Sequence, residues 1–131
     1  MNKKITTLLV LAAGAGLAQA PAQAQVPAGI SDGVVRIGVL TDMSGAYSGN
    51  VGPGSVLATK LAIEDFGGQV LGKPIEMLSA DHLNKTDVAA GRAREWMDRE
   101  KVDVVTELGN SAVALAVMNI AREKGLSLIH I

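Results

Sequence analysis

The stretch DGVVRIGVLTDMSGAYSGNVGPGS, residues 32–55, carries the first evidence of the fold. Residues 34–40 form a near-continuous apolar run broken only by Arg36 and Gly38, as expected of a strand covered on both faces. A loop rich in Gly and Ser, with one Tyr, follows at once. In an open α/β sheet, ligands settle beyond the carboxyl ends of the strands, so this loop falls where a site would be built.

Outward from that stretch the chain keeps alternating between two periods. A helix is expected from about residue 55 to 66, with Ala58, Leu61, Ala62 and Phe66 at helical spacing, ended by Gly67-Gly68. Gly72-Lys73-Pro74 turns the chain into a second strand at 75–80. Asn84 or Thr86 is expected to cap a second helix, 87–100, that buries Ala89, Ala93, Trp96 and Met97. A third strand at 102–108 precedes a third helix at 111–124, which ends in Arg122 and Lys124, favourable charges at a helix C-terminus. Gly125 closes it, and 126–131 opens a fourth strand. This order implies a doubly wound α/β fold, a parallel sheet with right-handed crossovers and helices on both faces. Loops that follow strands then share one rim: 42–54, 81–85 and 109–111. The loops at 67–74, 101–103 and 125 only reverse direction on the other rim.

The N-terminus reads as an export signal. Lys3 and Lys4 precede an apolar segment at 5–17, too short to span a bilayer. Of two A-x-A sites, Ala18-Gln19-Ala20 is followed by the rigid Pro21, so cleavage is expected after Ala24. The expected divisions are a signal peptide at 1–24, a lead-in at 25–32 and part of one lobe at 33–131. Removing 24 of 131 residues leaves 107 and takes the formal charge from −1 to −3, since Lys3 and Lys4 depart. A mildly acidic chain without a basic run has no electrostatic footprint for nucleic acid. With no cysteine there is no disulfide framework, thiol nucleophile or Cys-based metal site. The mature product is expected in a periplasm.

The strand-following rim offers donors for a small polar molecule. Gly109-Asn110-Ser111 opens the third helix, where free N–H groups and the helix dipole favour an anion, although Asn and Ser are also ordinary N-caps. Ser44, Tyr47 and Ser48 lie in the first loop; Tyr47 could cover an apolar group or be a plain loop residue. Asp81-His82 could reach the cleft as a reader, or form a solvated pair in which Asp81 caps local backbone.

Four segments, DGVVRIGVLTDMSGAYS (32–48), GPGSVLATKLAIEDFGG (52–68), LGKPIEMLSADHLNK (71–85) and NSAVALAVMNIAREKG (110–125), carry a family resemblance. Together they resemble the start of periplasmic substrate-binding proteins of branched-chain amino acid ABC transporters, with the type I periplasmic binding fold. The resemblance implies a first lobe whose partner lobe, beyond this chain, closes on a ligand by hinge motion. It implies an amino acid or small organic acid as ligand, delivery to an ABC permease at the inner membrane, a monomer when complete, and no cofactor. It places Ser111, with Asn110 beside it, in the loop that grips the ligand's carboxylate. It also places Tyr47 and Ser48 in the loop that lines the same cleft; Ser44, from the same loop, and His82 are candidate ligand residues on the strength of their positions on the rim alone. The single hydroxyl in Leu108-Gly109-Asn110-Ser111-Ala112, where leucine binders carry more Ser and Thr, argues against a strict leucine, isoleucine and valine specificity.

Other classes fit less well. A Ser-His-Asp hydrolase would need Ser44 or Ser111 to meet His82 and an Asp, and no G-x-S-x-G elbow is present. Gly49, Gly52 and Gly54 have the dinucleotide glycine spacing reversed. Asp42, Asp81 and His82 are too scattered to indicate a metal site. Residues 112–117 are too few to cross a membrane. The remaining alternative is a sensor domain of the same fold, which would continue into a membrane helix or signalling module. The last six residues, LSLIHI, pass as a strand and also resemble translated adapter read-through, so His130 receives no role and 126–131 are set apart as a candidate non-native tail.

Overall fold

The computed structural model describes residues 32–130. The expected signal peptide, the lead-in before Asp32, and Ile131 lie outside the described residues.

Among the described residues, nine elements follow one another: β1 (Val35–Thr41), α1 (Pro53–Asp65), β2 (Gln69–Val70), β3 (Lys73–Asp81), α2 (Thr86–Glu95), a π-helical turn (Trp96–Glu100), β4 (Val104–Glu107), α3 (Ser111–Lys124) and β5 (Ser127–His130). The sheet order is β2-β3-β1-β4-β5, with β1 parallel to both β3 and β4, and β4 parallel to β5. The parallel α/β expectation therefore holds. β2 is an antiparallel addition that sequence reading took for a simple reversal. It is two residues long, joined to β3 through Leu71 and Gly72, both at positive φ, a turn whose twist suits a hairpin.

Side chains alternate across β1, and the two faces are covered unequally. Leu40 packs with Val105, Leu108 and the buried faces of α2 and α3: Ala89, Ala93, Val113, Val117 and Ile120. The predicted buried set Ala89, Ala93, Trp96 and Met97 is buried as expected. Trp96 and Met97 belong to the π turn rather than to a continuing α-helix, so the second helix is α-helical only to Glu95. Lys101, left-handed at φ 56, stops it. Gly38 makes room for Trp96: a Cβ there would lie 2.6 Å from the indole ring and 3.2 Å from Val102.

The opposite face carries only α1 among the described residues. The helix begins at Pro53, whose ring fixes a helical φ, two residues before the expected start. Its expected buried face is not buried: Ala58, Leu61, Ala62 and Phe66 are exposed, and no α1 residue is fully buried. Apolar residues are spread around α1 instead of forming one stripe, and its half-buried residues are Ser55, Val56, Thr59 and Ile63. A second correction concerns α2, whose cap position is held by Lys85, with no side-chain cap from Asn84 or Thr86. β4 is also shorter than the expected 102–108: it starts at Val104, and after Glu107 the chain leaves the sheet at Leu108, both residues taking positive φ.

Gly38→Ala should destabilise the fold by about 1–3 kcal/mol, the usual cost of overpacking a filled core. Urea unfolding of the purified chain measures it. An unchanged midpoint would mean that the indole is free to retreat.

Candidate functional site

Thr41, Asp81 and Glu107 end three neighbouring parallel strands, and the register pairs Thr41 with Asp81 and Leu40 with Glu107. Their following loops therefore leave the sheet side by side.

The first loop is wound onto the end of β1. Asp42 is fully buried, and its carboxylate accepts the N–H groups of Gly45 (2.7 Å) and Tyr47 (2.9 Å). A Cβ on Gly45 would collide with that carboxylate at 2.5 Å. The Thr41 hydroxyl accepts from Gly52 N at 2.8 Å, where the chain turns into α1. Gly52 has φ 72, and a Cβ there would meet the Asp42 carbonyl at 2.6 Å, so only glycine fits.

Asp81 ties this loop to the next. Its Oδ1 accepts from Met43 N (3.0 Å) and Leu83 N (2.7 Å), and its Oδ2 accepts the Ser44 hydroxyl at 2.6 Å. Burial works to raise the Asp81 pKa, but these three bonds and nearby His82 outweigh it, leaving the carboxyl below its ordinary value. Ionised Asp81 is thus both a local cap, as one reading of the sequence held, and a strap between two loops.

His82 lies beneath that strap. It is fully buried: its N–H donates to the Thr41 carbonyl at 2.9 Å, and its Nδ1 accepts from Asn84 N at 3.0 Å. An accepting Nδ1 puts the proton of the neutral ring on Nε2, which has no hydrogen-bond partner among the described residues. Burial pushes the His82 pKa below 6.5 against the opposing pull of Asp42 and Asp81. Among the described residues the Ser44 hydroxyl donates to Asp81 and not to His82, and no hydrogen bond joins Ser111 to His82. Among the described residues no group of three or more His, Cys, Asp or Glu is placed to hold a metal ion.

The third loop starts α3. The Asn110 side chain accepts from Ala112 N (2.8 Å) and Val113 N (3.1 Å), satisfying two of the free N–H groups that sequence reading left for an anion. Its Nδ2 donates to Asn84 Oδ1. Gly109 lies against Val51 so closely that a Cβ would come within 2.7 Å of it. The three loops are therefore joined pairwise: Asp81 to Met43 and Ser44, Asn84 to Asn110, Val51 to Gly109.

The six expected residues separate into three groups. Ser44 and Ser48 spend their hydroxyl protons on Asp81 and on the Gly45 carbonyl (2.9 Å), and Asn110 spends its carbonyl on the α3 cap. His82 is buried below the rim. Tyr47 and Ser111 are exposed on it, with no side-chain hydrogen bond among the described residues. Sequence reasoning gave no site role to Thr41, Asp42 or Asn84. The D-x-x-G pattern of Asp42 and Gly45 was the available signal, since Asp side chains commonly accept from backbone N–H groups a few residues on.

Two hollows lie away from this rim. A 440 Å³ hollow is lined by Gly91, Arg94, Glu95, Asp98 and Arg99 on the outer side of α2, and a 280 Å³ apolar one by Ile37, Thr59, Ala62, Ile63, Phe66 and Ile75 under α1. Ser44, Tyr47 and Ser111 are exposed along the rim, which forms a lip.

Residues 34–130 match the sequence model of the family described as periplasmic binding protein. A periplasmic binding protein structure from Burkholderia mallei is 50% identical, with a TM-score of 0.72, covering 75% of this chain and 26% of that one. A branched chain amino acid ABC transporter periplasmic ligand-binding protein from Burkholderia xenovorans is also 50% identical, with a TM-score of 0.69, covering 72% and 25%. A solute binding protein of an ABC transporter from Rhodopseudomonas palustris, in complex with 3,4-dihydroxy benzoic acid, is 27% identical, with a TM-score of 0.69, covering 76% and 27%. The chain thus spans about a quarter of the length of these structures. No curated protein matches it.

The depressed His82 pKa fixes the sign of a pH effect. Between the folded pKa and the ordinary 6.5, the unfolded chain takes up a proton that the folded chain refuses, so stability is complete above about 6.5 and falls as pH drops below it. Urea midpoints at pH 7.5 and 5.5 should show this loss, and His82→Asn, which keeps an acceptor near Nδ1 and does not titrate, should flatten it. Equal slopes in both proteins would assign the loss to other groups.

Proposed function

The chain belongs to the periplasmic binding protein family, and on that premise we propose that it forms part of the first lobe of an exported solute receptor. In this reading the signal peptide is cleaved after Ala24, the mature protein works in the periplasm, and a second lobe closes over the lip by hinge motion. The loaded receptor, a monomer when complete, delivers its solute to an ABC permease at the inner membrane. No step makes or breaks a covalent bond in the solute.

The observation that carries this reading is the state of Ser111. It stands exposed at the first position of α3, on a lip knit from three strand-following loops, with its hydroxyl uncommitted. Its backbone N–H is not among the two that Asn110 satisfies. A hydroxyl and an N–H at the positive end of a helix suit an anion that must also be released.

The ligand class follows from the same chemistry. A branched-chain amino acid and 3,4-dihydroxybenzoic acid, the solutes named for two similar proteins, share a carboxylate and little else. We assign that carboxylate to Ser111, with Asn110 holding the helix end, Tyr47 covering the solute's body, and Ser44 and Ser48 offering hydroxyl oxygens along the loop. His82 acts from below, by fixing the loop at 81–85. Charge-assisted bonds to the carboxylate would supply the affinity common to such solutes.

In the complete protein, Ser111→Ala should weaken binding by about 1 to 3 kcal/mol, the range for a hydrogen bond to a charged group. Calorimetric titration with L-leucine and with 3,4-dihydroxybenzoate measures it. Unchanged affinity for the solute that binds would remove Ser111 from the site.

A further inference from the structure

Resting on the reading of Ser111 as the carboxylate anchor, we propose that Asn84 is a positioning residue for the lip. Its side-chain carbonyl pins the Asn110 amide, and through it the first turn of α3.

Asn84 does not serve its own helix. Lys85 holds the cap position of α2, and no side chain caps that helix. The Asn84 side chain reaches across to α3 instead, where Oδ1 accepts from Asn110 Nδ2 at 2.5 Å. The backbone is bent to allow it. Leu83 and Asn84 stand one after the other in the left-handed region, at φ 54 and 55. Asn tolerates that region; a leucine does so only when its surroundings enforce it.

Three bonds enforce it here. Leu83 N donates to Asp81 Oδ1 (2.7 Å), Asn84 N to His82 Nδ1 (3.0 Å) and Lys85 N to the His82 carbonyl (2.8 Å). Burying His82 as a neutral acceptor thus has a consequence at the lip, because the ring fixes the residue that fixes the α3 cap.

The Asn110 amide shows what the tether does. Its oxygen faces two helix N–H groups and its nitrogen faces the Asn84 carbonyl, so only one of its two flip states satisfies both ends. Without Asn84 the cap would persist and α3 would stay packed on α2, but the hydrogen bond that sets the Asn110 side chain against the loop at 81–85 would be lost. Ligand groups need placement to roughly 0.5 Å by supporting residues, and Ser111 is the very next residue.

The test compares Asn84→Ala, Asn84→Asp and Ser111→Ala in the complete protein, titrated with L-leucine and 3,4-dihydroxybenzoate in about 1 M salt, where a Debye length of about 3 Å screens an added charge. Asn84→Ala should bind about five- to tenfold more weakly, the effect of one lost hydrogen bond. Asn84→Asp, which keeps an acceptor for Asn110, should recover most of that loss. A lowered melting temperature with unchanged affinity in Asn84→Ala would overturn the proposal, since Asn84 would then be purely structural. Equal loss in the Ala and Asp variants would also overturn it. If Ser111→Ala weakens binding and Asn84→Ala does not, only this inference fails; if Ser111→Ala has no effect, the reading of the site fails and takes this one with it.

Discussion

The Asp81 carboxylate is the constraint on which the lip depends. It closes β3, and both of its oxygens are spent on the first and second loops: Met43 N, Ser44 Oγ and Leu83 N. Without a negative charge at that point, the loop after β1 would have little to draw it across the end of β3. Asp42 plays the complementary part within the first loop, taking up two of its N–H groups. Two carboxylates at the carboxyl ends of adjacent strands thus turn mobile connections into a shaped edge. Both are occupied by the protein's own donors, and of the six candidate residues Ser111 and Tyr47 are the exposed ones whose hydroxyls are uncommitted among the described residues.

The same division of labour appears in the sheet. One face is finished: α2, the π turn and α3 seal Leu40, Val105 and Leu108 into a continuous core. The other is thinly covered, with α1 over β1 and β3, and with Leu57, Leu61 and Phe66 exposed at 56%, 49% and 65%. The densely packed half lies under α3, the helix whose first turn carries Ser111. A lip meant to hold a small anion is best supported where the core is densest, and here it is.

Much of this was legible in the sequence, for identifiable reasons. Parallel strands separated by helices can only put their following loops on one rim, so distant segments at 42–54, 81–85 and 109–111 could be grouped before any coordinates. Ala89, Ala93, Trp96 and Met97 were readable because two packed faces leave a helix one buried stripe. The failures have equally physical causes. The stripe assigned to α1 assumed a cover that the described residues do not supply. β2 was too short, at two residues, to leave a period. Asn84 was read as a cap for the nearest helix, since sequence distance says nothing about a side chain that reaches a different one. His82, read either as a reader in the cleft or as part of a solvated loop pair, is fully buried instead, because its partners are backbone groups that leave no trace in residue types.

Amide chemical-shift mapping of the complete protein, titrated with L-leucine and 3,4-dihydroxybenzoate, addresses the location of the ligand lip most directly. The perturbed amides should cluster at 43–51, 83–84 and 109–112. Perturbation confined to 67–72, 101–103 and 125, on the opposite rim, would contradict a binding lip built at the strands' carboxyl ends.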